Sequence, residues 1–327
     1  NNIKMKKIIK IILLLTLTFS IFLGEVFAEE KIKIGLLVPL TGKNSEIGQS
    51  IIKSTRLAIN QIDNLSIEII PKDTASSPEV TLKSAKELEK LGIRIVIGPV
   101  FNENLIYLNE LSNLTFLSLT NKNDNRSSNI INAGINATSQ LNAIKKFIEL
   151  NEIKKTIFLT SDSNYKNEII QAISNSRIKI IENYIYDTDP TKLTKQIEKI
   201  TNYERRKQNL EDEIKRLEES DENNIEKLIE RLKKKDTLGN VNFDSLIIAD
   251  FDESLKSVTT SLLYTDILPK EKYFITLNQW FDESLLKETN LQPIYFPSIN
   301  KENYEDFSLE YFNKYNQYPN QLSFLSY

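Results

Sequence analysis

Any chemistry in this chain has to run on carboxylates, hydroxyls, amides and amines, because its 327 residues include no histidine and no cysteine. That removes the Ser-His-Asp triad, the commonest zinc ligand, the thiolate nucleophile and the disulfide. The acids Asp162, Asp250 and Asp252 fall at the ends of predicted strands on one edge. Two carboxylates at a suitable separation can hydrolyse a glycosidic bond, but sequence does not set that separation, and the residues read as non-catalytic. A calcium loop needs alternating oxygen ligands in one stretch, and none occurs. With eight glycines and neither a GxGxxG nor a GxxxxGK[ST] pattern, the usual nucleotide-phosphate turns are missing too. No cofactor and no metal is expected.

What polar residues at strand ends can do instead is bind. The candidate ligand-binding residues are Thr41, Phe101, Asn102, Ser118, Thr120, Asn121, Asp162, Tyr165, Asp250 and Trp280. The small hydroxyls of Thr41, Ser118 and Thr120 can meet a ligand or satisfy a turn. Trp280 can stack on a ligand or pack a hinge, and Tyr165 can close a cleft from the opposite side. Asp73 can touch a ligand or tie its own turn.

The elements that position these residues alternate. Ile32, Ile34 and Leu36 to Val38 form a short apolar run suited to a strand covered on both faces. Pro39, Thr41 and Gly42 break it. Ile47, Ile51, Ile52, Thr55, Ala58, Ile59 and Ile62 recur at helical spacing, with Asn44 or Ser45 to cap them. Further strands are expected at 65–70, 93–97, 116–119 and 130–135, with helices at 77–90 and 102–111. The rhythm restarts with a helix at 139–150, a strand at 156–160, a helix at 165–174 and strands at 178–184, 244–249, 273–277 and 294–296. Helices are expected at 254–264 and 304–315, and 323–327 reads like the start of another. The class is therefore α/β, with parallel sheets carrying helices on both faces. In such sheets ligands sit beyond the carboxyl ends of the strands.

Composition bounds the rest. Hydrophobic content of 40%, charged content of 27% and a formal charge of −3 suit a soluble globular chain and give no basic surplus for nucleic acid. Lys4, Lys6, Lys7 and Lys10, an apolar run at 11–22 and Val26-Phe27-Ala28 have the parts of a secretory signal over residues 1–28. The expected compartment is the periplasm; the alternative is an uncleaved signal that anchors the chain in the membrane. Residues 192–235 break the rhythm. Charges dominate there, apolar residues fall three and four apart, and Glu211–Lys215, Asp212–Arg216 and Glu230–Lys234 are favourable pairs. This reads as a helical hairpin insertion, either a solvated arm or a docking arm.

Ile34-Gly35, Pro39-Leu40-Thr41-Gly42 and Gly48 to Ala58 resemble the first strand and helix of type I periplasmic binding proteins, the leucine-binding group. Asp73, Ile97-Gly98-Pro99, Phe116-Leu117-Ser118 and Ser163-Asn164-Tyr165 keep that register. The resemblance implies a two-lobed fold: lobe I at 29–135 with 281–318 returning to it, lobe II at 136–280, and a small-molecule ligand in the interlobe cleft. Amino-acid receptors of the family hold a carboxylate with hydroxyls after strand three and an ammonium with acids and aromatics of lobe II. Here Phe101 and Asn102 stand in place of the serines, Phe251 in place of a tyrosine and Gln279 in place of a glutamate. Ser118 to Asn121, Leu262 to Asp266 and Gln279 to Asp282 resemble instead the alphaproteobacterial penicillin-binding protein activators. A charged helical stretch with paired arginines such as Arg205-Arg206 occurs there too. That branch implies a peptidoglycan synthase as partner and a regulator of cell-wall synthesis; the alternative is a receptor that delivers a solute to an ABC permease.

Overall fold

The computed structural model describes residues 31–62, 66–122, 127–220, 224–277 and 289–327. In the first lobe, β1 (Ile32–Val38), β2 (Ile67–Asp73), β3 (Ile95–Ile97), β4 (Thr115–Ser118) and β5 (Ile130–Asn132) form one parallel sheet in the order β2-β1-β3-β4-β5. Leu36, Leu37 and Val38 are fully buried in succession, as a strand covered on both faces requires. Leu37 packs with Val96, Phe116 and the helix α2 (Pro78–Lys90) on one face. Leu36 and Val38 pack with Ile51 and Ile52 of α1 (Ser45–Gln61) on the other.

The second lobe repeats the plan. Its strands β6 (Thr156–Ser161), β7 (Glu182–Tyr186), β8 (Ser245–Ala249), β9 (Tyr273–Thr276) and β10 (Ile294–Tyr295) lie in the order β10-β9-β8-β6-β7. Read from the other edge, this is the first lobe's order again. Helices α3 (Ala137–Leu150) and α4 (Lys166–Ser176) cover Phe158, Ile247 and Ile275 on one face. Helices α5 (Pro190–Ile200) and α8 (Asp252–Tyr264) cover Leu159, Leu246, Ile248 and Phe274 on the other. Each sheet reverses direction of winding between its first and third strands, and a cleft is expected outside those strand ends.

Four expectations need correcting. The helix expected at 102–111 is two short 3₁₀ turns, Asn102–Leu105 and Leu108–Glu110. Leu105, Leu108, Leu111 and Leu114 all enter the core at a spacing of three, which is the 3₁₀ repeat. The strand expected at 178–184 begins at Glu182, because Ile178 and Ile180 are used to pack against α3 and α4. The charged insertion starts later than residue 192. Asp189 caps α5 by accepting from the amides of Thr191 and Lys192, and Leu193 and Ile197 bury in the core, so α5 is an ordinary crossover helix. The departure is α6 (Tyr203–Glu218) with α7 (Ile225–Leu232), which pack on each other.

The return to the first lobe comes later than residue 281. Ile294 and Tyr295 pair with Phe274 and Ile275 as the last strand of the second sheet. Among the described residues after β10, it is α9 (Lys301–Tyr315) that packs on the first lobe, where Phe307 and Tyr311 meet Leu57 of α1. The 3₁₀ turn Gln321–Ser326 follows it, placing Leu322 and Leu325 against the α1 face. The stretch that reads as a helix start at 323–327 thus belongs to the first lobe, where the Ser50 hydroxyl bonds Ser323. The leader expected at 1–28 lies outside the described residues. Among the described residues no helix is long and apolar enough to cross a membrane.

Candidate functional site

A cleft of about 340 Å³ lies where the ends of the two sheets face each other. Asn121, after β4, lines it from the first lobe, the segment leading out of that lobe supplies Ile135 and Asn136, and α3 supplies Ala137 and Gln140. The second lobe supplies Tyr165, Glu168, Ile169, Phe251 and Leu277. Asn136 caps α3 through a reciprocal pair with Ser139, which sets the direction in which α3 leaves the crossover. Gln140 sits on the buried face of α3 beside Ala137, Leu141, Ile144 and Ile148. A polar residue on an otherwise apolar helix face is the one sequence signal that could have singled it out. Glu168 occupies the first turn of α4, where an acid complements the helix N-terminus. The walls are therefore mostly hydrocarbon and aromatic ring, with a few polar groups converging on them.

Behind Tyr165 the second lobe builds a hydrogen-bonded cluster. Asp250 follows β8 and is only 3% exposed. Its Oδ1 accepts from the Tyr165 hydroxyl at 2.6 Å and from the Phe251 amide at 3.0 Å, and its Oδ2 accepts from the Tyr186 hydroxyl at 2.6 Å. Ser161, at the end of β6, donates to the Tyr165 oxygen at 3.0 Å. Burial, and then the bond to Asp250, push the Tyr165 phenol above its ordinary range. The same two causes in the same order push Tyr186 far above it. Both phenols stay protonated and both donate inward. The Tyr165 ring meets the Phe251 ring edge-on at 5.6 Å, so two aromatic rings form the second lobe's part of the wall.

The first lobe carries a second cavity, of about 490 Å³, beside the cleft and sharing Asn121 with it. Val100, Phe101, Asn102 and Glu103 line it after β3, Thr120 and Lys122 after β4, and Lys43, Asn44 and Ser76 at the other rim. Asp73 shapes that rim. Its Oδ1 accepts from the Leu40 and Ala75 amides, each at 2.7 Å, and its Oδ2 accepts from the Thr41 hydroxyl at 2.6 Å. Burial raises the Asp73 carboxyl, but these donors outweigh it and hold the group below its usual range.

The structure thus sorts the sequence-predicted residues. Phe101, Asn102, Thr120 and Asn121 come together in the first-lobe cavity, and Asn121 and Tyr165 meet across the cleft. Thr41 is spent on Asp73 and lines neither cavity. Ser118 is buried, with its hydroxyl near the Pro99 carbonyl and accepting from the Thr120 amide. Asp162 forms an exposed ion pair with Lys166 one turn on. Asp250 stands one layer behind the wall. Trp280 and the Gln279 to Asp282 turn lie outside the described residues. The acids Asp162 and Asp250 do not share a site, and among the described residues no group of His, Cys, Asp or Glu could hold a metal ion.

Two parallel-sheet lobes of identical strand order, flanking a largely apolar cleft, define a two-lobed binding protein. The chain belongs to the periplasmic binding protein family, whose model matches residues 31–202. No curated protein matches the chain in sequence. Among solved structures it is similar to a branched-chain amino acid ABC transporter periplasmic ligand-binding protein from Burkholderia xenovorans, with TM-score 0.54 and 10% identity over 91% of this chain and 75% of that one. It is also similar to an ABC transporter substrate-binding protein from Sphaerobacter thermophilus (TM-score 0.52, 13% identity, 91% and 78% of the two chains). A third is the C-domain of LpoA from Haemophilus influenzae, a regulator of PBP1A (TM-score 0.50, 14% identity, 75% and 65%). At these identities the likeness is one of type I periplasmic-binding fold.

Proposed function

We propose that this chain is an exported, non-catalytic receptor that closes its lobes on a small solute and presents it to an ABC permease. The observation that carries the reading is the cleft itself: a concavity walled by Ile135, Ile169, Phe251 and Leu277, with Asn121, Asn136, Gln140 and Glu168 converging on it from both lobes. A few placed polar groups on apolar walls are the usual composition of a small-molecule site. The basic and apolar parts of residues 1–28 support export. The absence of histidine and cysteine from the whole chain, the burial of Asp250 behind the wall and the exposed pairing of Asp162 with Lys166 support binding without turnover. The test is a thermal-shift screen of the chain from Glu29 against amino acids, sugars, nucleosides and muropeptides. A ligand at a hundred times its Kd adds about 2.7 kcal/mol to stability. A flat screen across all four classes overturns the receptor reading.

A second reading, a penicillin-binding protein activator that contacts a peptidoglycan synthase, is favoured by the charged arm. The arm is seated rather than loosely tethered. Arg206, 6% exposed, donates to the carbonyls of Gly239, Thr265 and Asp266 and to the Thr237 hydroxyl, and Tyr203 packs on Tyr264. An arm held in a fixed direction can present α7 to a partner. Retention of the chain on an immobilised synthase, and its loss on removal of residues 203–235, is the result expected of this reading.

A further inference from the structure

The helix α7 carries its apolar residues at Ile225, Leu228, Ile229 and Leu232, the spacing of a single stripe. None of the four is buried, although α7 packs on α6, and Leu228 is left 37% exposed. Lys227 and Arg231 stand one turn apart on the flank next to Leu228. Lys235 follows three residues past the end of the helix. All three cations are exposed, and among the described residues none of them enters an ion pair. Other charges of the hairpin are already matched: Lys233 to Glu218 of α6 at 4.0 Å, Glu230 to Lys234 at 2.8 Å and Glu213 to Arg216 at 2.9 Å. One edge of the arm is therefore an apolar centre beside unmatched positive charge.

We propose that this edge of α7 is a docking surface for an acidic amphipathic helix of a partner protein, one that lays an apolar stripe on Leu228 and sets its carboxylates against Lys227, Arg231 and Lys235. This deepens the second reading and rests on it for a protein as the arm's partner. Charge complementarity chooses the occupant. A second copy meeting the same edge across a two-fold axis would set cation against cation. A membrane surface needs a broader apolar face than one part-exposed leucine on a helix of eight residues. An acidic helix answers both the leucine and the cations, with helix laid along helix. The root of the arm favours such docking. Arg206 fastens α6 to the carbonyls of Gly239, Thr265 and Asp266, so α7 keeps one direction and less order has to be created on binding. Exposed ion pairs are individually weak. The cations therefore choose the sign of the partner, and Leu228 supplies the contact.

The probe is a blocked peptide of three Glu-Glu-Leu-Ala-Ala-Leu-Glu repeats. Its control has lysine in place of every glutamate. Each is tested alone, by fluorescence anisotropy, on the chain from Glu29 in dilute buffer. The wild type is expected to bind the acidic peptide at least about tenfold tighter than the basic one. The triple variant Lys227→Glu, Arg231→Glu and Lys235→Glu is expected to reverse that order, which a loss of folding cannot do. Leu228→Ser is expected to weaken the acidic peptide at least about threefold and to keep the order. An unchanged order in the triple variant, no effect of Leu228→Ser, or failure of the acidic peptide to bind overturns the inference. So does binding to phosphatidylglycerol vesicles, or dimerisation in sedimentation, that the triple variant abolishes, because the edge then serves a membrane or a second copy. Retention on an immobilised synthase that needs residues 203–235 yet survives the triple variant also overturns it and leaves the second reading standing. Reversed peptide order without retention on the synthase supports the inference and counts against the synthase as the partner.

Discussion

At the exits of the first lobe's strands, backbone lies directly on backbone. A Cβ added at Gly48, in the first turn of α1, would stand 1.8 Å from the Pro39 carbonyl oxygen. One at Gly98, where φ is +101°, would stand 2.2 Å from the Leu37 carbonyl oxygen. Asp73 completes this exit by accepting from two amides and a hydroxyl of the adjoining turns. In the second lobe the same strand order ends differently. There the exits of β6, β7 and β8 are joined by side chains, Ser161, Tyr186 and Asp250, with Tyr165 laid over them. The contrast is physical. Glycine lets backbone press on backbone at these turns and leaves room above them for a cavity. A cluster of long side chains fills the room and offers the cleft ring surface.

Asp250→Ala should cost the most, about 4 kcal/mol, because it removes the acceptor of the buried Tyr186 phenol, the half-buried Tyr165 phenol and the Phe251 amide at once. Urea unfolding measures it, and a loss under 1 kcal/mol would make the second lobe's cluster incidental. The same cluster predicts a pH signature. The folded pKa values of Tyr165 and Tyr186 are raised above the ordinary phenol value of about 10. Folded and unfolded chains are then equally protonated below pH 10, and the contribution is fully present there. Above pH 10 the unfolded chain ionises first, so stability falls as pH rises toward the folded values. The fall between pH 9 and pH 11 should be shallower in Tyr186→Phe than in the wild type.

Gly48→Ala tests the first lobe and should cost about 3 kcal/mol, since the obstacle is a carbonyl on another segment and α1 must move. The loss should appear equally with and without solute, because Gly48 touches the scaffold. Asp73→Ala is the mildest, at about 1 kcal/mol, because its donors are near the surface and water can replace the lost acceptor. Its contribution is present above the ordinary carboxyl range and lost as pH falls through the lowered folded value. An Asp73→Ala loss larger than that of Asp250→Ala would reverse the comparison between the lobes.

These costs track how far each site could be read in advance. Asp73 and its partners Leu40, Thr41 and Ala75 belong to two turns flagged by Pro39, Gly42 and the Lys72-Asp73-Thr74 exit, so its turn role was among the readings weighed. Asp250 was singled out as an acid at a strand end, but its partners lie 85 and 64 residues away in sequence. No local pattern announces that two tyrosines will converge on it. Gln140 and Glu168 escaped because each sits inside a helix whose apolar spacing explains it well enough without a ligand. The 3₁₀ turns at 102–110 escaped for a related reason: spacings of three and of three-or-four differ by little over ten residues.

What the chain determined alone is the alternation of buried strands and amphipathic helices, the order of turns, and the family register from Ile34-Gly35 to Ile97-Gly98-Pro99. Those follow from side-chain period and from turn chemistry, which act over a few residues. Tertiary structure decided which polar residues face the cleft and which are consumed behind it. It placed Asn121 between two cavities, turned Asp250 inward, put α5 in the core and fastened the arm through Arg206. Each of those outcomes rests on a buried hydrogen bond or an apolar contact between segments far apart in sequence. Such contacts are chosen only when packing brings the segments together and excludes the water that would otherwise satisfy them.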